Sequence, residues 1–340
     1  MLAHRTHTPN DGEGKGRASP IGTSALSLSA MDLVIPSGWP RIVRTLRGVN
    51  YGLTLPNAGL GANPQVLADL AREAENAGWD GVFVWDSLEP EHGIAPDPGD
   101  PALASAHDPW IAMAAIADAT NRIRFGPMVT PITRRRPWKL ARECVSLDHL
   151  SEGRFTLAVG LGWTPEGGFS KVGEETDLHV RAERLDEGLA VVNGLWSGEQ
   201  LVFTGRHFRV DGLRLQPPPL QQPRIPVWVV GGWKSRRSLA RALRWDGVIP
   251  QRIGSADPLT PSEITSLAAY VAANRTAPRH YDIVVEGLTT ERGAADIDRV
   301  QEYAEAGVTW WLEGLWIYIY ETPGRPDPIR RQINAGPPRS

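Results

Sequence analysis

The sequence contains a single cysteine, Cys144, in 340 residues. That excludes an intramolecular disulfide framework and any cysteine-based metal cluster. No apolar run reaches the ~20 residues needed to span a bilayer. The longest in the first half, Ile111–Ala119, is interrupted by Asp118 and reads as a helix. A basic excess is missing too. The 36 Lys+Arg stand against 39 Asp+Glu, a net charge of −3, so nothing here is built to neutralise a nucleic-acid backbone. There are only eight histidines, and none falls at the C-terminal end of an expected strand. This argues against a resident metal and against a metal-dependent barrel hydrolase. No G-x-S-x-G nucleophile elbow occurs. The exit of the first expected strand, Leu55-Pro56-Asn57-Ala58-Gly59, lacks the G-x-G-x-x-G spacing of a dinucleotide fold. An apolar signal-peptide core is absent as well, because Ser and Thr interrupt Ile21–Leu33. Met1–Ala30 is rich in His, Thr, Gly and Ser and has no apolar period, and Met1–Arg44 is expected to be a disordered leader. The expected compartment is the cytoplasm.

What the sequence has in abundance is tryptophan: thirteen residues, about 4% of the chain. Rings of that size line cores or apolar ligand pockets. From Val49 onward, short β-type runs alternate with helical periods. The expected strands are Val49–Leu55, Gly81–Trp85, Ile123–Thr130, Phe155–Gly160, Val227–Val230, Gly247–Pro250, Tyr281–Glu286 and Thr309–Leu312. Helices are expected at Pro64–Ala77, Pro109–Ala119, Pro137–Leu150, His179–Trp196, Ser235–Leu243, Pro261–Asn274, Ala294–Ala306 and Pro328–Ile333. Strict alternation argues for a parallel sheet with crossover helices. Eight units over ~290 residues fit a closed (β/α)8 TIM barrel, residues 45–340, better than an open sheet. The stretch Gly198–Pro226 has no helix signal and reads as a hairpin inserted between helix 4 and strand 5.

In such a barrel the active site lies at the C-terminal ends of the strands. Those ends carry Asn57, Asp86-Ser87, Met128-Val129-Thr130, Gly160-Leu161-Gly162-Trp163, Gly231-Gly232-Trp233-Lys234, Gln251-Arg252, Glu286 and Glu313. Trp85, Trp110, Trp138, Trp163, Trp233 and Trp311 fall at or near the same rim, where a flat organic ligand would bind. Trp79, Trp196, Trp228 and Trp245 fit ordinary core roles. The Gly231-Gly232 turn opens a helix and is a candidate anion site, with Lys234 and Ser235 as further donors. A tight βα turn accounts for the two glycines equally well. Arg134-Arg135-Arg136 is a basic run just after strand 3, read either as a solvated helix entry or as cations for an acidic ligand tail. His92 sits in the loop Leu88–His107 and is either solvated or able to swing over the rim. Cys144 reads as a buried spacer.

Several motifs in this order carry a family resemblance. They are Asp108-Pro109-Trp110, Ala119-Thr120-Asn121-Arg122-Ile123-Arg124-Phe125-Gly126, Val129-Thr130-Pro131, Leu147-Asp148-His149-Leu150-Ser151-Glu152-Gly153-Arg154 and Val159-Gly160-Leu161-Gly162-Trp163, followed by Pro226–Gly232 and Ala304–Val308. Together they resemble the bacterial luciferase-like flavin-dependent oxidoreductases, from Val49 to the C-terminal region. The resemblance implies a (β/α)8 barrel that binds FMN, or the deazaflavin F420, at the strand C-termini. It implies that Met128-Val129 is a non-prolyl cis peptide forming a bulge behind the ring, with Thr130 beside it. It also implies that Gly160, Gly162 and Trp163 line the cofactor, and that Gly231-Gly232, with Trp233 and Lys234, hold its phosphate. Asp86 falls where many members have an Asp-His pair, and here Ser87 replaces that histidine. A serine does not take up a proton at neutral pH, so the candidate proton-transfer groups are Asp86, Ser87 and His92, or water.

The expected activity is that of a flavin-dependent oxidoreductase acting on a small organic substrate. FMN-dependent monooxygenation with O2, fed by a separate NAD(P)H flavin reductase, is placed first. An F420-dependent reductase or dehydrogenase is the alternative; the Arg134–Arg136 run supports it, since that cofactor carries an acidic tail. A non-catalytic flavin-binding accessory protein is a further alternative. By analogy with relatives, a homodimer is the expected assembly.

Overall fold

The computed structural model describes residues 48–59, 63–88, 106–165, 167–255, 257–277, 279–289, 293–315, 318 and 327–339. The chain divides into two units, Met1–Leu46 and Arg47–Ser340. The expected leader 1–44 lies outside the described residues, as does His92.

Along the chain run β1 (Asn50–Leu55), α1 (Pro64–Asn76), β2 (Gly81–Val84), α2 (Pro109–Ala119), β3 (Arg124–Pro127), β4 (Thr130–Pro131), α3 (Pro137–Leu150), β5 (Leu157–Gly160) and a one-turn α4 (Gly167–Ser170). They continue with α5 (Leu178–Trp196), β6 (Gln200–Thr204), β7 (Arg209–Arg214), β8 (Val227–Gly232), α6 (Arg236–Ala242), β9 (Gly247–Gln251), α7 (Pro261–Asn274), β10 (Asp282–Gly287), α8 (Ala294–Ala306), β11 (Trp310–Gly314) and α9 (Asp327–Asn334). The helix starts follow local chemistry. Proline opens α1, α2 and α7, where its missing N–H costs nothing, and Asn63, Asp108 and Thr260 cap them by accepting from backbone N–H groups.

The main sheet runs β3-β2-β1-β11-β10-β9-β8-β5-β4, and every pairing is parallel. Its two ends are one strand. The expected run Ile123–Thr130 is split into β3 and β4 at the Met128–Val129 peptide, which is cis. β3 also bridges to the entry of β5 through Phe125 and Phe155, so the ring closes as an eight-stranded barrel. The inserted hairpin is β6–β7, an antiparallel pair with a bulge between Leu201 and Val202.

Alternation along each strand sends one set of side chains outward to the helices and the other into the barrel. Inside, Phe83, Ala158, Trp228, Val284, Trp310 and Leu312 form a separate buried cluster. The ring centroids are 5.3 Å apart for Phe83–Trp228 and 5.4 Å for Trp228–Trp310, and Phe83 meets Trp310 edge-on at 6.0 Å. Room for these rings comes from strand positions without a Cβ. A methyl at Gly247 would lie 2.5 Å from Trp228 Cδ1 and 3.0 Å from the Asp282 carbonyl oxygen. At Gly81 it would lie 2.8 Å from Trp310 Cζ3. The Trp228 indole N–H is not stranded by its burial, because it donates to Asp282 Oδ2 at 3.0 Å.

Gly→Ala within a strand ordinarily raises stability by limiting the unfolded chain. In this barrel Gly247→Ala should instead lower the unfolding free energy, by about 1–3 kcal/mol through overpacking. Trp228→Ala should lose about 3–5 kcal/mol. Urea unfolding followed by circular dichroism tests both, and a neutral Gly247→Ala would contradict this account of the interior.

Candidate functional site

At the C-terminal mouth, Asn57 joins the exits of the first two strands. Its Nδ2 donates to the Trp85 carbonyl at 2.8 Å, and its Oδ1 accepts from the Trp85 N–H at 3.0 Å. Trp85 continues the inward register of Gly81 and Phe83 and is half-buried.

Asp86 follows, buried, and donors converge on it. Trp110 Nε1 and Thr130 Oγ1 donate to Oδ2 at 3.0 and 2.8 Å. Arg135 donates through Nε to Oδ2 at 3.1 Å and through Nη2 to Oδ1 at 2.9 Å. Arg134 Nη2 donates to the Asp86 carbonyl oxygen at 2.7 Å and lies 3.4 Å from Oδ1. Burial alone would push the Asp86 carboxyl up; the Arg135 charge and hydrogen bond, with those of Trp110 and Thr130, hold it below the usual aspartate value. Arg134 and Arg135 are therefore committed to Asp86 and are not a set of open cations at the rim. Arg135 also lies over the Trp110 ring, 5.0 Å from its centroid. Ser87 is half-buried beside this cluster.

The floor of the mouth is the cis Met128–Val129 segment, both residues half-buried and packed against the inner aromatic cluster. Gly160 faces it. A Cβ there would sit 3.1 Å from both Val129 Cγ2 and Val230 Cγ2, so the floor is built to carry no side chain from β5. Gly162 has φ +80°, and a Cβ there would collide with Phe169 and Pro131. Arg181 holds this loop, donating through Nη1 to the carbonyls of Leu161 (3.0 Å) and Gly162 (2.8 Å). Trp163, just beyond, is 49% exposed. Deeper in the barrel, Thr54 Oγ1 is fully buried and has no hydrogen-bond partner among the described residues.

The turn after β8 divides its groups between the scaffold and solvent. Gly231 packs outward, where a Cβ would meet Val248 and Leu239. The N–H groups of Gly232, Trp233 and Ser235 donate to Ser238 Oγ (2.9 Å), the Gln251 carbonyl (2.8 Å) and the Gly232 carbonyl (3.0 Å). These donors are spent within the protein. Lys234, in the left-handed region at φ +65°, is exposed together with Arg236 and Arg237, and none of the three forms an ion pair among the described residues.

The six tryptophans expected at the rim separate. Trp85 and Trp163 stand there. Trp110 is 6% exposed and serves Asp86. Trp233 is buried in the main core, Trp311 packs outward on Tyr303 at 5.4 Å, and Trp138 meets Phe208 edge-on at 6.3 Å. Sequence reasoning missed the convergence of Trp110, Thr130, Arg134 and Arg135 on Asp86. The available signal was that an acid at a barrel strand end, once buried, needs cations, and an arginine run follows the next strand. Other shared motifs are structural. The carboxylate of Glu75 accepts from the N–H groups of Asn121, Arg122 and Ile123, and Arg154 donates to the carbonyls of Ala117, Thr120 and Ile123.

Comparison with known proteins agrees with this architecture. Residues 49–323 match the model of the luciferase-like monooxygenase family. The chain is 29% identical over 254 residues to an F420-dependent hydroxymycolic acid dehydrogenase of Mycobacterium tuberculosis, covering 68% of this chain and 67% of that protein. It is 31% identical over 274 residues to an F420-dependent glucose-6-phosphate dehydrogenase of Nakamurella multipartita, covering 79% and 74%. Among solved structures, the F420-dependent tetrahydromethanopterin reductase of Methanopyrus kandleri superposes with a TM-score of 0.62 at 15% identity, over 84% of this chain and 96% of that one. A (β/α)8 barrel with a glycine-lined floor at its C-terminal mouth, matched over most of its length, makes this chain a member of the luciferase-like monooxygenase family of oxidoreductases.

Proposed function

We propose that the protein is an F420-dependent reductase or dehydrogenase acting on a small organic substrate. The observation that carries this reading is the F420 dependence of the two named relatives at 29% and 31% identity. It moves the deazaflavin ahead of FMN, which the sequence alone places first. The site fits such a group on its own terms: an orphaned buried hydroxyl at Thr54, and a floor at Gly160 where a Cβ would press on Val129 and Val230. When bound, the deazaflavin supplies hydride exchange with the substrate.

In this reading Met128, Val129, Thr130, Gly160 and Gly162 form the surface on which the ring rests, with Trp163 beside it. The exposed cations Lys234, Arg236 and Arg237 replace Arg134 and Arg135 as the partner of an acidic tail. Gly231 and Gly232 shape that turn, and Trp233 anchors it in the core. Asp86 is a positioning residue, because a carboxylate engaged on both oxygens and held ionised is a poor proton acceptor. It fixes Thr130 and Arg135 under the rim. Ser87 orients substrate and does not take up its proton; His92 is the side chain we assign to that step. The second reading, FMN-dependent monooxygenation, is favoured by Ser87 itself, since the replaced histidine is the acid or base proposed for several F420-dependent relatives.

Fluorescence titration of the full chain with F420 and with FMN discriminates the two. F420 should saturate and FMN should bind more weakly. Tight FMN binding, with O2-dependent turnover when a flavin reductase and NADH are supplied, would replace this reading with the monooxygenase. The double variant Arg236→Ala/Arg237→Ala should weaken F420 by about three- to tenfold, an effect that shrinks at high salt.

Asp86→Asn should take the carboxylate away from Arg134 and the half-buried Arg135, which keeps Glu143 at 3.9 Å, and cost about 3 kcal/mol at neutral pH. Because the folded-state value of Asp86 is depressed, its stabilisation is present above the unfolded-state value of about 3.9 and is lost as pH falls through the folded one. Urea unfolding at stepped pH should therefore show a shallower acid loss for Asp86→Asn than for wild type; equal slopes would remove Asp86 from this role.

A further inference from the structure

At the N-terminal end of the barrel, opposite the mouth that holds Asp86 and Gly160, lies a cavity of about 490 Å³. It is lined by the first residues of the strands, among them Asn50, Arg124, Asp282 and Trp310, and by the segments leading into them. Trp228 and Trp310, two rings of the inner aromatic cluster, form part of its wall. This end of a (β/α)8 barrel ordinarily serves stability alone.

The charges in this cavity do not cancel. Asp246 is taken by Arg224, at 3.0 and 3.1 Å, and by the Val227 N–H at 3.0 Å. Asp282 accepts from Trp228 Nε1 at 3.0 Å, Thr309 Oγ1 at 2.8 Å and His280 Nε2 at 2.9 Å. Two arginines remain. Arg124 has no carboxylate within ion-pair distance among the described residues; its Nη2 donates to Gln221 Oε1 at 3.0 Å and its Nε to Thr156 Oγ1 at 3.4 Å. A guanidinium has five N–H donors, so most of this fork is unused. Burial pulls Arg124 below the ordinary arginine value, while the more distant charges of Asp282 and Asp148 oppose that pull. Arg279 is exposed at the opening and forms no ion pair among the described residues. Arg224, fixed by Asp246 and lying 5.2 Å over the Trp245 ring, forms a rigid side of the entrance.

A half-buried fork, a second cation at the opening and an apolar side made by Pro223 and Pro226, with the covered indoles of Trp228 and Trp310 behind it, make a recognisable combination. We infer that this cavity is a second binding site, for a small organic anion whose acid group meets Arg124 and Arg279 and whose flat apolar body lies against Pro223 and Pro226. The volume suits a ligand of metabolite size. The acid is a carboxylate in this reading, because a planar fork matches it on two N–H groups.

Isothermal titration of the full chain with benzoate, with acetate and inorganic phosphate as comparison probes at fixed ionic strength, tests this. Benzoate should bind saturably and more tightly than either comparison anion. Arg124→Gln should abolish binding, and Arg279→Ala, an exposed change that spares the fold, should weaken it about tenfold. F420 or FMN affinity at the other mouth should stay within about twofold of wild type in Arg279→Ala, since the two sites share no residue. No saturable benzoate binding, binding unaltered by Arg279→Ala, or acetate and phosphate binding as tightly as benzoate would each overturn the inference.

Discussion

A ring of eight short parallel strands encloses a space that side chains must fill, and here three aromatic rings do most of that work. Phe83, Trp228 and Trp310 meet at centroid distances of 5.3 to 6.0 Å and are kept apart from the helix-facing core by the wall of strands. Close packing without voids forces the surrounding strand positions to be small. That is the reason for glycine at Gly81 and Gly247. The plug also has a directional effect. It seals the barrel between its two mouths, so each mouth is a separate chemical environment, one glycine-floored beside the Asp86 cluster, the other lined by Arg124, Asp246 and Asp282.

The same economy governs the catalytic end. In the reading proposed above, a ring-binding surface needs flat, side-chain-poor backbone, and the Met128–Val129 segment and Gly160 are where the mouth offers it. A flat floor must be held rigidly from behind. Asp86 does this by gathering donors from the start of α2, from β4 and from the turn before α3. Two consecutive barrel units are thereby cross-linked through one carboxylate. Of the run that looked in the sequence like cations offered to a ligand, Arg134 and Arg135 are internal reinforcement, while Arg136 stays exposed and further exposed cations sit about a quarter-turn of the barrel away, at Lys234, Arg236 and Arg237.

The architecture was legible because its signals are local. Strand and helix periods marked the elements, the alternation counted the units, and the Gly198–Pro226 composition marked the hairpin. The site was legible in position but not in orientation. Neighbouring Trp310 and Trp311 illustrate why: one points into the barrel and the other toward Tyr303, and only the register of the strand decides which. Period-two patterns specify two faces without naming them. Long-range pairing was equally hidden. Nothing near Asp86 in sequence announces residues 44 to 49 positions away, and the bottom cavity joins arginines separated by more than one hundred and fifty.

The closure of the main sheet through one interrupted strand bears on how copies of this molecule can meet. β3 and β4 occupy the two ends of the strand order, so the barrel presents no open row of N–H and C=O groups to a neighbour. Among the described strands only the β6–β7 hairpin retains such edges, and its exposed Val202 and Leu213 give that edge an apolar flank. Pairing between described strands of two molecules is thus confined to a device that lies outside the catalytic scaffold, and the barrel itself is left free of templated self-association.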